Sequence, residues 1–173
     1  TQVVLWLTSR NFGTSEAALR FLPVCAGIAA LWFTYALGKR CFHANAGLFA
    51  AAALVFLDYV LTYSQIARPY PFGLCFTVMF AYSWHLLLFG REQRKALKIV
   101  FFAIAAALCM YTHYFAFLNA LIIGITGLFL LKRTTWLNYI SGALLAVILF
   151  IPGFSILFAQ MKVGGVGGAE GWL

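Results

Sequence analysis

A chain of 173 residues that is 64% hydrophobic and 9% charged lies far from the roughly 45–50% apolar, about 25% charged make-up of a soluble domain. That composition excludes a water-soluble globule, a disordered tail and a disulfide-stapled secreted module. The net charge of +8 comes from 12 Lys+Arg against four acids, Glu16, Asp58, Glu92 and Glu170.

Residues 1–20 read as the end of an external loop, with Val3, Val4, Leu5, Trp6 and Leu7 forming a short interfacial segment. Residues 21–158 hold the apolar runs: Phe21–Leu37, Ala44–Tyr63, Pro71–Gly90, Ile99–Leu131 and Trp136–Phe158. A bilayer span needs about 20 mostly apolar residues. The 33 residues of Ile99–Leu131 would make one helix of about 50 Å, against a hydrocarbon core of roughly 30 Å. No Gly or Pro marks a break there, but charge does. Splitting the run near Tyr111-Thr112-His113-Tyr114 puts three basic clusters on one side: Lys39 and Arg40; Arg91, Arg94, Lys95 and Lys98; Lys132 and Arg133. That is the positive-inside distribution rather than the patch of a nucleic-acid binder. The expected fold is therefore all-α, a polytopic transmembrane helical bundle of about six spans. Residues 159–173 form an external glycine-rich loop, in which five glycines stand within Gly164–Gly171. No initiator Met or signal segment opens the sequence, so a piece of a longer polytopic protein is expected.

This orientation gathers the chemically useful residues on the face opposite the basic clusters. Arg20 and Arg68 lie there against the charge bias, and an Arg at that boundary is costly without a partner. Its guanidinium suits bidentate binding of phosphate or carboxylate. Pro69 and Pro71 stiffen the turn that carries Arg68. Arg68 has two open readings, a ligand site or a cap on the carbonyls ending the second span. Glu16 follows Ser15 at a helix start, where a carboxylate complements the helix dipole as readily as it serves chemistry. Asp58 is open to pairing with a basic residue inside the bundle, and His113 to satisfying its own turn. His85 reads as structural and His43 as a loop residue; the histidines lack metal-ligand spacing, and no metal site is expected. Cys25, Cys41, Cys75 and Cys109 read as small core residues.

The runs Thr14-Ser-Glu-Ala-Ala-Leu-Arg-Phe-Leu-Pro23, Tyr63-Ser-Gln-Ile-Ala-Arg-Pro-Tyr70 and Met110-Tyr-Thr-His-Tyr-Phe115 occur in this order between spans. Together, from about Phe12 to Trp172, they resemble the dolichyl-phosphate-mannose-protein mannosyltransferase-like membrane proteins of glycosyltransferase family 39 and its bacterial relatives, in the GT-C superfamily. Ile66 departs from the Glu often found at that position. The resemblance implies transfer of a hexosyl or pentosyl group from a polyprenyl-phosphate carrier, without a cofactor, to a protein, lipid or glycan acceptor on the extracytoplasmic face. It makes Arg68, Arg20 and His113 the donor-phosphate ligands, and Tyr63, Gln65, Tyr70 and Tyr114 the substrate lining. The family's catalytic acid belongs to a loop after an earlier span; Glu16 and Asp58 are the weaker candidates within this sequence. The expected setting is a bacterial inner membrane in preference to the endoplasmic reticulum, with no nucleic-acid partner. A transporter or flippase for a polyprenyl-linked amphiphile explains the same Arg and aromatic residues, but the sequence shows no internal repeat of the kind such proteins often carry.

Overall fold

The computed structural model describes residues 10, 15–57, 70–90, 93–112 and 114–162, with the side chains of 16, 19 and 156–162 left aside. Regular structure among the described residues is entirely α-helical: α1 Glu16–Cys41, α2 Ala44–Val55, α3 Tyr70–Phe89, α4 Lys95–Thr112, α5 Tyr114–Phe129 and α6 Trp136–Lys162. Four stretches are long and apolar enough to cross a membrane: Arg20–Cys41, Tyr70–Phe89, Lys95–Thr112 and Trp136–Ser155. The remaining two helices, α2 and α5, have 12 and 16 residues. At 1.5 Å per residue they reach about 18 and 24 Å, short of a hydrocarbon core of roughly 30 Å.

Local chemistry sets several helix ends. Ser15 is the N-cap of α1 and accepts from the Ala18 N–H at 3.3 Å, so the helix begins ahead of the expected Phe21. Lys39 and Arg40 occupy its last turn, where cations complement exposed carbonyls. His43, read from sequence as a loop residue, caps α2: its Nδ1 accepts from the Ala46 N–H at 3.1 Å. The run expected to continue to Tyr63 leaves the helix at Val55, with Phe56 as C-cap and a tightened turn from Leu57 N–H to Leu54 O. The alanine-rich body of α2 gives way there to Phe56 and Leu57, and Phe is a weaker helix former than Ala; the rest of that expected run, 58–63, lies outside the described residues. At the other end of the chain α6 runs to Lys162, past the expected Phe158.

The long apolar run breaks between Thr112 and Tyr114, as charge parity requires. The two halves form a hairpin. Near the start of α3, the place where a Gly73 Cβ would lie is 3.8 Å from Thr112 Cγ2 and 3.9 Å from Ala116 Cβ. Near the end of α3, Trp84 meets Gly127 and Tyr139. So α5 runs parallel to α3, and both run against α4. Alanines and a cysteine (Ala103, Ala105 and Cys109, all fully buried) let α4 pack closely in the centre. Phe80, Phe102 and Tyr139 tie α3, α4 and α6 together, with ring centroids 5.1 and 5.3 Å apart. Helices α1 and α2 meet backbone to backbone, where a Gly38 Cβ would stand 2.8 Å from Gly47 Cα. Cys75 and Cys109 are core residues as expected, but Cys25 and Cys41 are exposed, on helix faces turned away from the bundle. The outer faces carry large apolar side chains, including Phe49, Phe115, Ile122 and Leu144. That surface suits lipid tails rather than water.

Candidate functional site

Three of the expected site residues with described side chains converge on one end of the bundle, and packing explains why. The first half of α1 presents Ala26 and Ala30 to Phe72 and Cys75 of α3 in a single cluster, so the two helices run side by side. Arg20 stands six residues before Ala26, about 9 Å further toward that end, and is exposed. Tyr70 is the first residue of α3. Tyr114 opens α5, lying in sequence between the two residues that face Gly73. Its ring packs on Phe115 with centroids 4.2 Å apart. The ends of α1, α3, α4 and α5 thus bring Arg20, Tyr70 and Tyr114 to one face of the bundle.

Helix α6 is attached to the same end by Tyr111, which the sequence places at the break of the long apolar run and to which it assigns no role. Tyr111 donates from its hydroxyl to the Leu149 carbonyl at 3.0 Å. Its ring meets Phe150 edge-on at 5.0 Å, and Gly153 leaves room for both rings. Pro152 lies within α6 and removes the donor for the Ile148 carbonyl one residue earlier. Nothing in the sequence marks the Leu149 carbonyl as the partner of Tyr111, because the carbonyl that Pro152 frees is that of Ile148. Thr112 returns its hydroxyl to the Leu108 carbonyl at 2.5 Å, a local bond that leaves the end of α4 intact.

Asp58, Tyr63, Gln65, Arg68 and His113 lie outside the described residues, as does the glycine-rich tail. Glu16 is the first residue of α1, at the end that Arg20 occupies. Among the described residues no three His, Cys, Asp or Glu side chains gather closely enough to hold a metal ion. The opposite end carries the cations Lys39, Arg40, Arg94, Lys95, Lys98, Lys132 and Arg133 at the ends of α1, α4 and α5. The bundle is polarised: basic turns at one end, Arg20, Tyr70 and Tyr114 at the other.

These features define an integral, multi-pass α-helical membrane protein. The family model described as dolichyl-phosphate-mannose-protein mannosyltransferase matches residues 1–156, and the chain belongs to that family of membrane glycosyltransferases. The match takes in α1 to α5, most of α6 and the segments between them; it stops short of the glycine-rich tail that the sequence resemblance had included. No curated protein and no solved structure matches the chain.

Proposed function

We propose that this protein transfers a sugar from a polyprenyl-phosphate carrier to an acceptor hydroxyl at the end of the bundle opposite the basic turns, on the extracytoplasmic side. The bond between the sugar's anomeric carbon and the carrier phosphate oxygen breaks, and a bond to the acceptor oxygen forms. The acceptor proton passes to a carboxylate. Negative charge left on the departing phosphate is met by a fixed cation, the part of such a reaction in which preorganised electrostatics contributes most. Arg68 takes that role first and Arg20 second, with His113 as a further phosphate donor and Tyr63, Gln65, Tyr70 and Tyr114 lining the sugar and acceptor. The base is expected from an acidic residue outside this sequence; Glu16 and Asp58 are the alternatives within it.

The observation that carries this reading is the family match across residues 1–156, which includes every residue named above. The gathering of Arg20, Tyr70 and Tyr114 at one end supports it. The test is transfer from a polyprenyl-phosphate sugar by the membrane-inserted protein. Arg68→Ala is expected to lower turnover by roughly 10²–10³ without loss of expression or insertion. Arg68→Lys restores part of it, because an ammonium keeps the charge but not the bidentate fork. Near-normal turnover in Arg68→Ala removes this residue from the site and moves the role to Arg20.

A further inference from the structure

Helix α5 turns one stripe into the bundle and leaves another uncovered. Its buried residues, Ala116, Ala120 and Gly127, share the inward stripe. At about 100° per residue, a second stripe about 120° further around the helix carries Phe115, Asn119, Ile122, Thr126 and Phe129. All of these are exposed, Phe129 at 85%. Their spacing alternates between four and three residues, the pattern of a seven-residue repeat that lines one seam between paired helices. Apolar rings and Ile122 hold one position of that repeat, and Asn119 and Thr126 hold the other.

Asn119 sets this stripe apart from a plain wall for lipid. It lies five residues beyond Tyr114 in α5, about 7.5 Å along the helix, among the exposed apolar side chains of Leu118, Leu121 and Ile122. Its amide has no hydrogen-bond partner among the described residues. Hydrocarbon offers none, and an unpaired amide there is costly. Thr126, one repeat further on, donates to the Ile123 carbonyl of its own turn at 2.8 Å, and its oxygen can still accept. Such a group on a membrane helix is satisfied by another helix that brings a polar side chain to the same depth. A second copy of this chain does so by symmetry. Two copies inserted the same way are related by a twofold axis along the membrane normal, which lays α5 parallel to α5 and sets each residue opposite itself. A carboxamide both donates and accepts, so two Asn119 side chains facing across the axis satisfy each other.

We propose that the stripe from Phe115 to Phe129 on α5 is the interface of a parallel homodimer within the membrane, in which Asn119 pairs with the partner's Asn119. Ile122 and Phe129 pack across the same seam on the side of the basic turns, and Phe115 on the other. The amide fixes the register, because a slip of half a repeat would set it against the partner's Ile122. The proposal does not depend on the sugar-transfer reading.

The test combines dimer counting with cross-linking of the full chain in lipid vesicles. Single-molecule photobleaching of singly labelled wild-type protein is expected to show paired copies whose fraction rises with protein density. Asn119→Leu should raise the dissociation constant about three- to tenfold, the range of interhelical hydrogen bonds in membranes, and Asn119→Gln, which keeps an amide, should raise it less. With Cys25, Cys41, Cys75 and Cys109 replaced, Ile122→Cys should form a disulfide between copies under mild oxidation. Leu128→Cys, exposed on the other outer side of α5, should not. A wild type that stays monomeric at every density overturns the proposal, as does an unchanged dissociation constant in Asn119→Leu. Equal cross-linking at both positions means random collision and overturns it too. If a different helix covers the stripe, Ile122→Cys joins no second copy, and the homodimer is again overturned. Should Ile122→Cys fail to fold by circular dichroism, Phe129→Cys reports on the same seam.

Discussion

Two glycines of α5, three residues apart, are predicted to respond oppositely to the same added methyl group. A Cβ at Gly127 would press against the Tyr139 hydroxyl and stand 2.5 Å from Trp84 Nε1, whereas at Gly124 the nearest atom is Tyr139 Oη at 3.9 Å, an ordinary contact. Neither obstacle at Gly127 is the free end of a flexible chain. The Tyr139 hydroxyl is held by donation to the Gly124 carbonyl at 2.6 Å, and Trp84 is wedged between α3 and α5. Overpacking of this kind costs about 1–3 kcal/mol, and losing an interhelical hydrogen bond in a membrane protein adds about 0.6–1.7 kcal/mol. Gly127→Ala should therefore destabilise the bundle by about 2–4 kcal/mol, less the gain of up to about 1 kcal/mol from replacing a helical glycine. Gly124→Ala should be neutral or stabilising by that same gain. The assay is reversible denaturant unfolding of the detergent-solubilised protein. Tyr139→Phe in the Gly127→Ala background supplies the check on mechanism, since it removes the nearest of three close contacts, leaving Trp84 Nε1 at 2.5 Å and Tyr139 Cζ at 2.7 Å, and should return part of the loss. Equal stability of the Gly127→Ala and Gly124→Ala proteins, or no recovery in the double variant, would refute the reasoning.

Further outcomes follow from the same geometry. With Cys25, Cys41, Cys75 and Cys109 replaced, single cysteines at Arg94 and Lys132 should label from one side of the membrane and a cysteine at Tyr114 from the other; labelling of Lys132 and Tyr114 from the same side would contradict the α4–α5 hairpin. Gly47→Ala should open the α1–α2 contact, because its Cβ would fall 2.5 Å from the Tyr35 carbonyl oxygen and 2.9 Å from the Lys39 nitrogen, backbone atoms that move only with their helix. The expected loss is about 1–3 kcal/mol, read as a lower unfolding midpoint. Tyr111→Phe keeps the ring packing on Phe150 but removes the bond to Leu149, at a cost of about 0.6 kcal/mol and at most about 1.7; a larger stability change would mean that the hydroxyl does more than join α4 to α6.

The candidate site was legible as an end of the bundle before it was legible as a geometry. Hydropathy and the basic turns assign each segment a direction, and direction alone puts Arg20, Tyr70 and Tyr114 together. What the sequence could not supply was the role of Tyr111, since its partner is a carbonyl 38 residues away and any residue type could have provided it. His43 is the exposed loop residue that was expected, and only its capping of α2 escaped the sequence. A histidine after a basic turn reads as exposed loop, and its capping bond depends on an extended backbone at that one position.

Span order, the polarity of the bundle and the break after Thr112 were determined by the sequence alone, because the bilayer selects them through local quantities: about 20 apolar residues per crossing and the side on which Lys and Arg remain. Tertiary structure decided the rest. Only packing separates Gly127 from Gly124 and leaves Cys25 and Cys41 on the outside while Cys75 and Cys109 are buried. In a chain whose inner and outer faces are both apolar, hydrophobicity does not say which side of a helix meets its neighbours. Close fit of small residues and a few interhelical hydrogen bonds say it instead, and these belong to pairs of helices rather than to any one segment.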